Sequence, residues 1–162
     1  STALNEFSFF EKDVVDLAVR IDKNEFKGEV KASVQIRDMR FSNVDEDKLF
    51  KSQSLYEKYR RCEALTQHEA RFLTPTREFL LGVYGVLKQY KLWQYDIETL
   101  TYRAKCPIER YCTMLVSVDV LCELGLIKRE SGQLIFDGEG KKADLSQSEI
   151  LNNLNRIQGG EQ

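Results

Sequence analysis

Two stretches of strict two-residue alternation set the first constraint on this chain. Val15, Leu17, Val19 and Ile21 alternate with Asp16, Ala18, Arg20 and Asp22, and Val30, Ala32, Val34 and Ile36 alternate with Lys31, Ser33, Gln35 and Arg37. Only an extended strand puts every second side chain on one face, so each stretch reads as a strand with one apolar and one polar side. The short polar segment between them, with Asn24 and Gly28, makes the pair an antiparallel hairpin. A lone hairpin is marginal in water and needs something to cover it. The candidates are the preceding stretch Leu4–Phe10, the helices that follow, or another copy of the chain. No comparable run of strands follows, so the sheet reads as cut.

The remainder has helical spacing. Asp45-Glu46-Asp47 ahead of Leu49, Phe50, Leu55, Tyr56 and Tyr59 predicts a helix with an acidic first turn and basic Lys58, Arg60 and Arg61 at its end. Residues 62–73 read as a connector. Thr74 as cap and Pro75 at the first position predict a helix running to about Tyr90 through Phe79, Leu80, Val83, Tyr84, Val86 and Leu87. A short helix is expected over Asp96–Lys105, and a third helix from Pro107, ended by Gly125. Leu126–Asp137, folded about Ser131-Gly132, predicts a second hairpin. Three helices and a hairpin, in that sequence, give the order of a winged helix. Ser146-x-x-Glu149 is a capping-box match for a last helix over Ser146–Ile157. The expected class is therefore α+β. Residues 1–41 form the hairpin region, 42–73 a linking helix and connector, and 74–162 a winged-helix-like domain.

Composition narrows the function. The chain has 162 residues, 42% of them apolar, which suffices for a compact domain that buries roughly 70% of its unfolded surface without staples. The 24 Lys+Arg against 26 Asp+Glu leave a net charge of −2, so any nucleic-acid contact must come from a local patch. No apolar run approaches a membrane span and no signal-peptide pattern opens the chain, so a soluble cytoplasmic protein is expected. The chain begins at Ser1 without a methionine, as a piece excised from something longer would. Cys62, Cys106, Cys112 and Cys122 form no Cys-x-x-Cys pair and His68 is the sole histidine, which excludes a zinc motif and leaves mostly buried thiols. His68 lacks a motif around it, and Gly82 and Gly85 fall inside a helical pattern rather than a phosphate loop. No catalytic, cofactor-binding or metal-binding residue is expected in this chain.

Binding residues are easier to nominate. The first hairpin carries Lys23, Lys27, Lys31, Arg37 and Arg40, with Phe26 at its turn. Basic and aromatic residues on strands of this kind hold single-stranded nucleic acid. Glu25, Glu29 and Asp38 dilute the field, and a mixed solvated face is the commoner explanation of such a pattern. Around the third helix and the second hairpin lie Arg103, Lys105, Arg110, Lys128 and Arg129, but the helix's own polar positions, Glu109, Thr113, Ser117, Asp119 and Glu123, oppose insertion into a DNA groove. Trp93, with Leu92 and Tyr95, reads as a core corner.

The order of several short motifs resembles one family. Val15-Asp16-Leu17-Ala18, then Asn24, Phe26 and Gly28, then Asp38-Met39-Arg40 resemble the last two strands of the OB-type domain in RecJ-family single-strand DNA exonucleases. Pro75-Thr76-Arg77-Glu78-Phe79 with Val83-Tyr84, Val120–Ile127, and Lys142-Ala143-Asp144-Leu145 followed by Ser148 are similar to the extra C-terminal domain of the family's longer members. The Asp- and His-rich region, with its Asp-His-His run, that binds manganese or magnesium in those enzymes has no counterpart here. The resemblance implies a non-catalytic C-terminal portion of a 5′→3′ single-strand DNA exonuclease of DNA repair and recombination. It implies single-stranded DNA and a single-strand-binding protein as partners, and no membrane. The alternative is an autonomous winged-helix module that binds duplex DNA or adapts proteins. On either reading the open sheet edge leads to an expected homodimer, unless residues 1–10 or 42–60 cover it.

Overall fold

The computed structural model describes residues 9, 11–26, 28–42 and 44–160. The architecture is α+β, in two compact units, Ser1–Val44 and Asp45–Gln162. In the first unit, β1 (Val15–Phe26) pairs antiparallel with β2 (Glu29–Phe41). The strands are longer than the alternation alone predicts, because Lys23, Asn24, Glu25 and Phe26 continue β1 and β2 begins already at Glu29. Gly28 takes the positive φ (78°) that so tight a turn requires. Pairing with Leu4–Phe10 lies outside the described residues, apart from Phe9, whose ring meets that of Phe41 edge-on at 4.7 Å.

The register is interrupted once. Ala18 faces Asp38 and the next residue, Val19, faces Ile36, so Arg37 is an extra residue in β2. The bulge is dictated by the sequence. After Ile36 the apolar residues are Met39 and Phe41, an odd step that uninterrupted pairing would turn to the charged face. With Arg37 bulged out, Met39 and Phe41 stay opposite Leu17 and Val15.

The second unit is mainly helical. Helix α1 (Glu46–Arg60) is capped by Asp45, which accepts from Lys48 N at 3.1 Å. Residues 67–73, expected to be part of a connector, form α2 (Gln67–Leu73), whose Thr66 and Glu69 make a reciprocal capping box. Both elements fall within the second compact unit. Helix α3 (Arg77–Tyr90) starts later than expected. Thr76 is its cap, accepting from Phe79 N at 3.2 Å, whereas Thr74 closes α2 by donating to Ala70 O. Pro75 is the spacer between the two caps. Helix α4 spans Ile97–Arg103, and the helix expected from Pro107 begins as a 3-10 turn, Ile108–Arg110, before α5 (Tyr111–Glu123). The last helix, α6 (Glu149–Gly159), is capped by Ser148 rather than Ser146, which lies in a 3-10 turn headed by Asp144.

The second hairpin, β4 (Ile127–Glu130) and β5 (Gln133–Phe136), is joined by a strand that the sequence reading missed. The two-residue β3 (Leu92–Trp93) pairs with β5, giving the sheet order β3-β5-β4. Helix α3, strand β3, helices α4 and α5, and the β4–β5 hairpin follow one another as in a winged helix. The core gathers on α5, where Cys112, Met114, Val116, Val118, Val120 and Leu121 are buried against Leu73, Leu80, Val83, Leu87, Trp93, Leu100 and Leu154. Among the described residues no helix is long and apolar enough to cross a membrane.

One ion pair in this unit carries a pH signature. Lys58 Nζ donates to both oxygens of Glu69, at 2.7 and 2.8 Å, and Thr66 N donates to Oε2. The lysine, then the Thr66 amide, hold the Glu69 carboxyl down from the ordinary 4.5 to about 2. A depressed carboxyl stabilises the fold above its unfolded pKa and loses that contribution as pH falls from 4.5 toward 2. Because the pair is partly open to solvent, the contribution is about 1 kcal/mol. Urea midpoints of the native chain and Glu69→Gln, compared at pH 6 and pH 3, should differ more at pH 6; an equal difference would show that Glu69 carries no such term.

Candidate functional site

The hairpin residues nominated for nucleic acid do not share a face. The register places Lys23 opposite Ala32 on the side of Leu17, Val19, Ile21, Val30, Val34 and Ile36. Lys31 and Arg40 lie on the other side, opposite Asn24 and Asp16, roughly 26 Å apart along β2 at 3.3 Å per step. Arg37 occupies the bulge between them. Lys27 lies outside the described residues, and Phe26 is placed by its backbone opposite Glu29. Lys31 pairs with Glu29 at 3.2 Å and Arg40 with Asp16 at 3.5 Å, both in the open. Exposed pairs of this kind contribute at most about 1 kcal/mol, so an approaching phosphate displaces them readily. The charged side is thus a long mixed strip rather than a focused patch.

The opposite side is unusual in another way. Six of its aliphatic side chains, Leu17, Val19, Ile21, Val30, Val34 and Ile36, are 43–68% exposed, and among the described residues neither strand pairs with a third. The alternation that predicts burial is present, yet among the described residues these side chains stay open to solvent.

In the second unit the nominated cations are mostly engaged internally. Lys128 pairs with Asp137 at 3.0 Å, and Asp137 also holds Lys141 at 2.9 Å. Their proximity lowers the Asp137 carboxyl, through Lys141 first, and raises Lys128. Arg129 donates to Asp119 at 3.2 Å. Arg110 donates to Phe72 O at 3.2 Å, with its guanidinium 4.3 Å from the Phe72 ring. Arg103 is half-buried beside Tyr102, 5.4 Å from its ring centre. Lys105 is exposed just beyond α4, at a positive φ of 53°.

Helix α5 holds the place of a groove-reading helix, yet it is covered. Residues 112–114 and 116–121 are buried, with α1, α2, α3 and α4 all packed against it. Its polar residues are structural. Thr113 donates to Phe72 O, and Ser117 to Thr113 O. Asp119, 9% exposed, accepts from the Tyr56 hydroxyl at 2.5 Å and from Arg129, with Arg60 at 3.7 Å. Burial first, then the Asp119 carboxylate, pushes the Tyr56 hydroxyl well above its usual range. Glu123 accepts from Ser148 Oγ and from the amides of Glu149 and Ile150.

No cluster of three His, Cys, Asp or Glu suited to a metal occurs among the described residues. His68 is exposed and stacks on Phe72, their ring centres 6.4 Å apart. The cysteines are less buried than expected. Cys112 is buried, Cys106 and Cys122 are half-buried, and Cys62 is exposed. Burial pushes Cys106 up to about 12 and raises Cys112 and Cys122, so these three are poor nucleophiles at neutral pH.

One concavity escaped the sequence reading. A groove of about 580 Å³ is lined by Leu80, Leu81, Tyr84, Leu121, Leu126 and Leu145, with Arg77 among its cations. Its sequence signal was Leu81, an apolar residue off the buried stripe of α3 and 59% exposed. Compared with known proteins, the chain matches no family model, no curated protein and no solved structure.

Proposed function

We propose that this chain is the non-catalytic C-terminal portion of a RecJ-like 5′→3′ single-strand DNA exonuclease. Its hairpin helps to hold the single strand, and its helical unit braces that segment or docks a protein partner. The observation that carries the reading is the two-sided hairpin. An apolar face left open opposite a charged one is what the last two strands of a larger sheet present, as the resemblance of Val15–Ala18 and Asp38–Arg40 implies. The cover over α5 supports docking over groove reading in the helical unit, because a major-groove contact needs an exposed helix face. The groove beside α3 is mainly apolar, with Arg77, Lys141 and Asp144 also lining it, and suits an apolar segment of a protein partner such as a single-strand-binding protein. An autonomous protein adaptor is the second reading, favoured by the same groove.

Fluorescence anisotropy of a labelled oligonucleotide across a salt series tests the DNA role. Single strands should bind with a clear salt slope, and Lys31→Glu or Arg37→Glu should weaken binding about threefold to tenfold and lower the slope by about 1 each. Preference for duplex would overturn the assignment, and absence of binding at high micromolar protein would leave bracing or docking alone.

A further inference from the structure

Helix α1 differs from every element it packs on. Seven of its fifteen residues are charged, and its buried residue is a serine. Its grip on α5 is a polar ladder at four-residue spacing. Ser52 Oγ donates to Glu109 O at 2.9 Å and accepts from Cys112 N at 2.8 Å; Tyr56 donates to Asp119, and Arg60 pairs with it. The Ser52 contact replaces something that α5 lacks. Arg110 precedes its first turn without a side-chain cap, so a hydroxyl from another helix satisfies the Cys112 amide. The apolar share of the contact, from Leu55, Tyr56 and Tyr59, is only half-buried, whereas Ala70 and Leu73 of the shorter α2 are wholly buried. Elements with few buried apolar contacts and exchangeable polar bonds open at lower free energy than the core they cover.

We propose that α1 is a releasable strap across α5. It undocks in one cooperative step that breaks the bonds of Ser52, Tyr56 and Arg60 to the α5 region and of Lys58 to Glu69 of α2, while α3, α4, α5 and the three-stranded sheet stay folded. Release uncovers the side of α5 that carries Asp119. This inference does not depend on the nuclease reading.

Native-state hydrogen exchange on the full chain tests it. The amides of α1 and the Cys112 amide should exchange through a shared opening, with protection at least tenfold below that of Val116–Leu121. Ser52→Ala should lower protection of Cys112 about tenfold further and leave Val116–Leu121 unchanged. Tyr56→Phe, which keeps the ring and removes the donor, should raise exchange across α1 several-fold and supplies the test if Ser52→Ala folds poorly. Exchange of α1 at the same free energy as Val116–Leu121 would overturn the strap. So would residue-by-residue fraying of α1 with Cys112 still protected.

Discussion

Trp93→Ala will lower the unfolding free energy by about 3–5 kcal/mol, the cost of emptying a large, fully enclosed aromatic site. Trp93 is 1% exposed and stands edge-on between Tyr90 (4.9 Å) and Tyr95 (5.3 Å). Its Nε1 donates to Asp96 O at 3.1 Å, and its backbone pairs with Leu134 in the small sheet. One residue thus joins the end of α3 and the start of α4 through its side chain and the wing through its backbone. Domains of this size are held by roughly 5–15 kcal/mol, so the variant should sit close to its unfolding threshold at 25 °C. Urea melts followed by far-UV circular dichroism measure this without relying on the chain's sole tryptophan. Trp93→Phe, which keeps a ring but removes the indole donor and leaves the Asp96 carbonyl with the Leu100 amide alone at 3.3 Å, should cost about 1–2 kcal/mol. A loss below 1 kcal/mol for the alanine variant would mean that the aromatic corner is peripheral to stability.

The second large effect is expected at Glu123. Helix α6 starts with two amides, Glu149 N at 2.9 Å and Ile150 N at 3.3 Å, directed at this carboxylate from α5. Ser148, its own cap, gives its hydroxyl proton to the same carboxylate while accepting from Leu151 N at 3.1 Å. A charged acceptor at the positive end of a helix, with hydrogen bonds to orphan donors, combines two favourable terms. Glu123→Ala should therefore cost about 2–3 kcal/mol, and Glu123→Gln, which keeps one acceptor, about 1. Ser148→Ala alone should cost about 1 kcal/mol, and the double variant less than the sum, since both residues serve the same turn. Urea midpoints of the four variants and the native chain decide the matter. A strictly additive result would separate the two residues into unrelated contacts.

These cases show why the sequence is readable in some places and opaque in others. Alternation at Val15–Ile21 and Val30–Ile36 reports strands because a period of two has one structural meaning. Gly125 ends α5 as expected, at φ +66°, with Leu126 N bonded to Leu121 O and Gly125 N to Cys122 O. The same closing motif ends α1 and α4, but there the left-handed position is held by Cys62 and Lys105. Without a glycine to mark it, α4 ends at Arg103, two residues short of the expected Lys105, whereas α1 ends at Arg60 as its basic last turn predicts. Strand β3 is two residues long and is defined by its partner, which periodicity cannot see. Ser148 caps α6 locally, but the acceptor for its first two amides is Glu123, and the Cys112 amide of α5 is met by Ser52; both lie far away in the chain, outside any local window. For the candidate site the failure has the same root. Arg129, Asp119 and Glu123 look like free surface charges in the sequence, and the fold engages each of them. The strip on β2 was partly legible, because alternation puts Lys31 on the polar side. The bulge that sets the place of Arg40, and the face on which Lys23 falls, required the cross-strand register.

The extra residue at Arg37 bears on inheritance as well as shape. Losing that single codon would leave every other side chain of the hairpin on the side it now occupies, because the residue is already out of frame with its partner strand. Losing one codon between Val30 and Ile36 would instead turn part of β2 inside out, sending aliphatic side chains to the charged side. The hairpin therefore contains one position where its length is free to drift in evolution, flanked by positions where it is not.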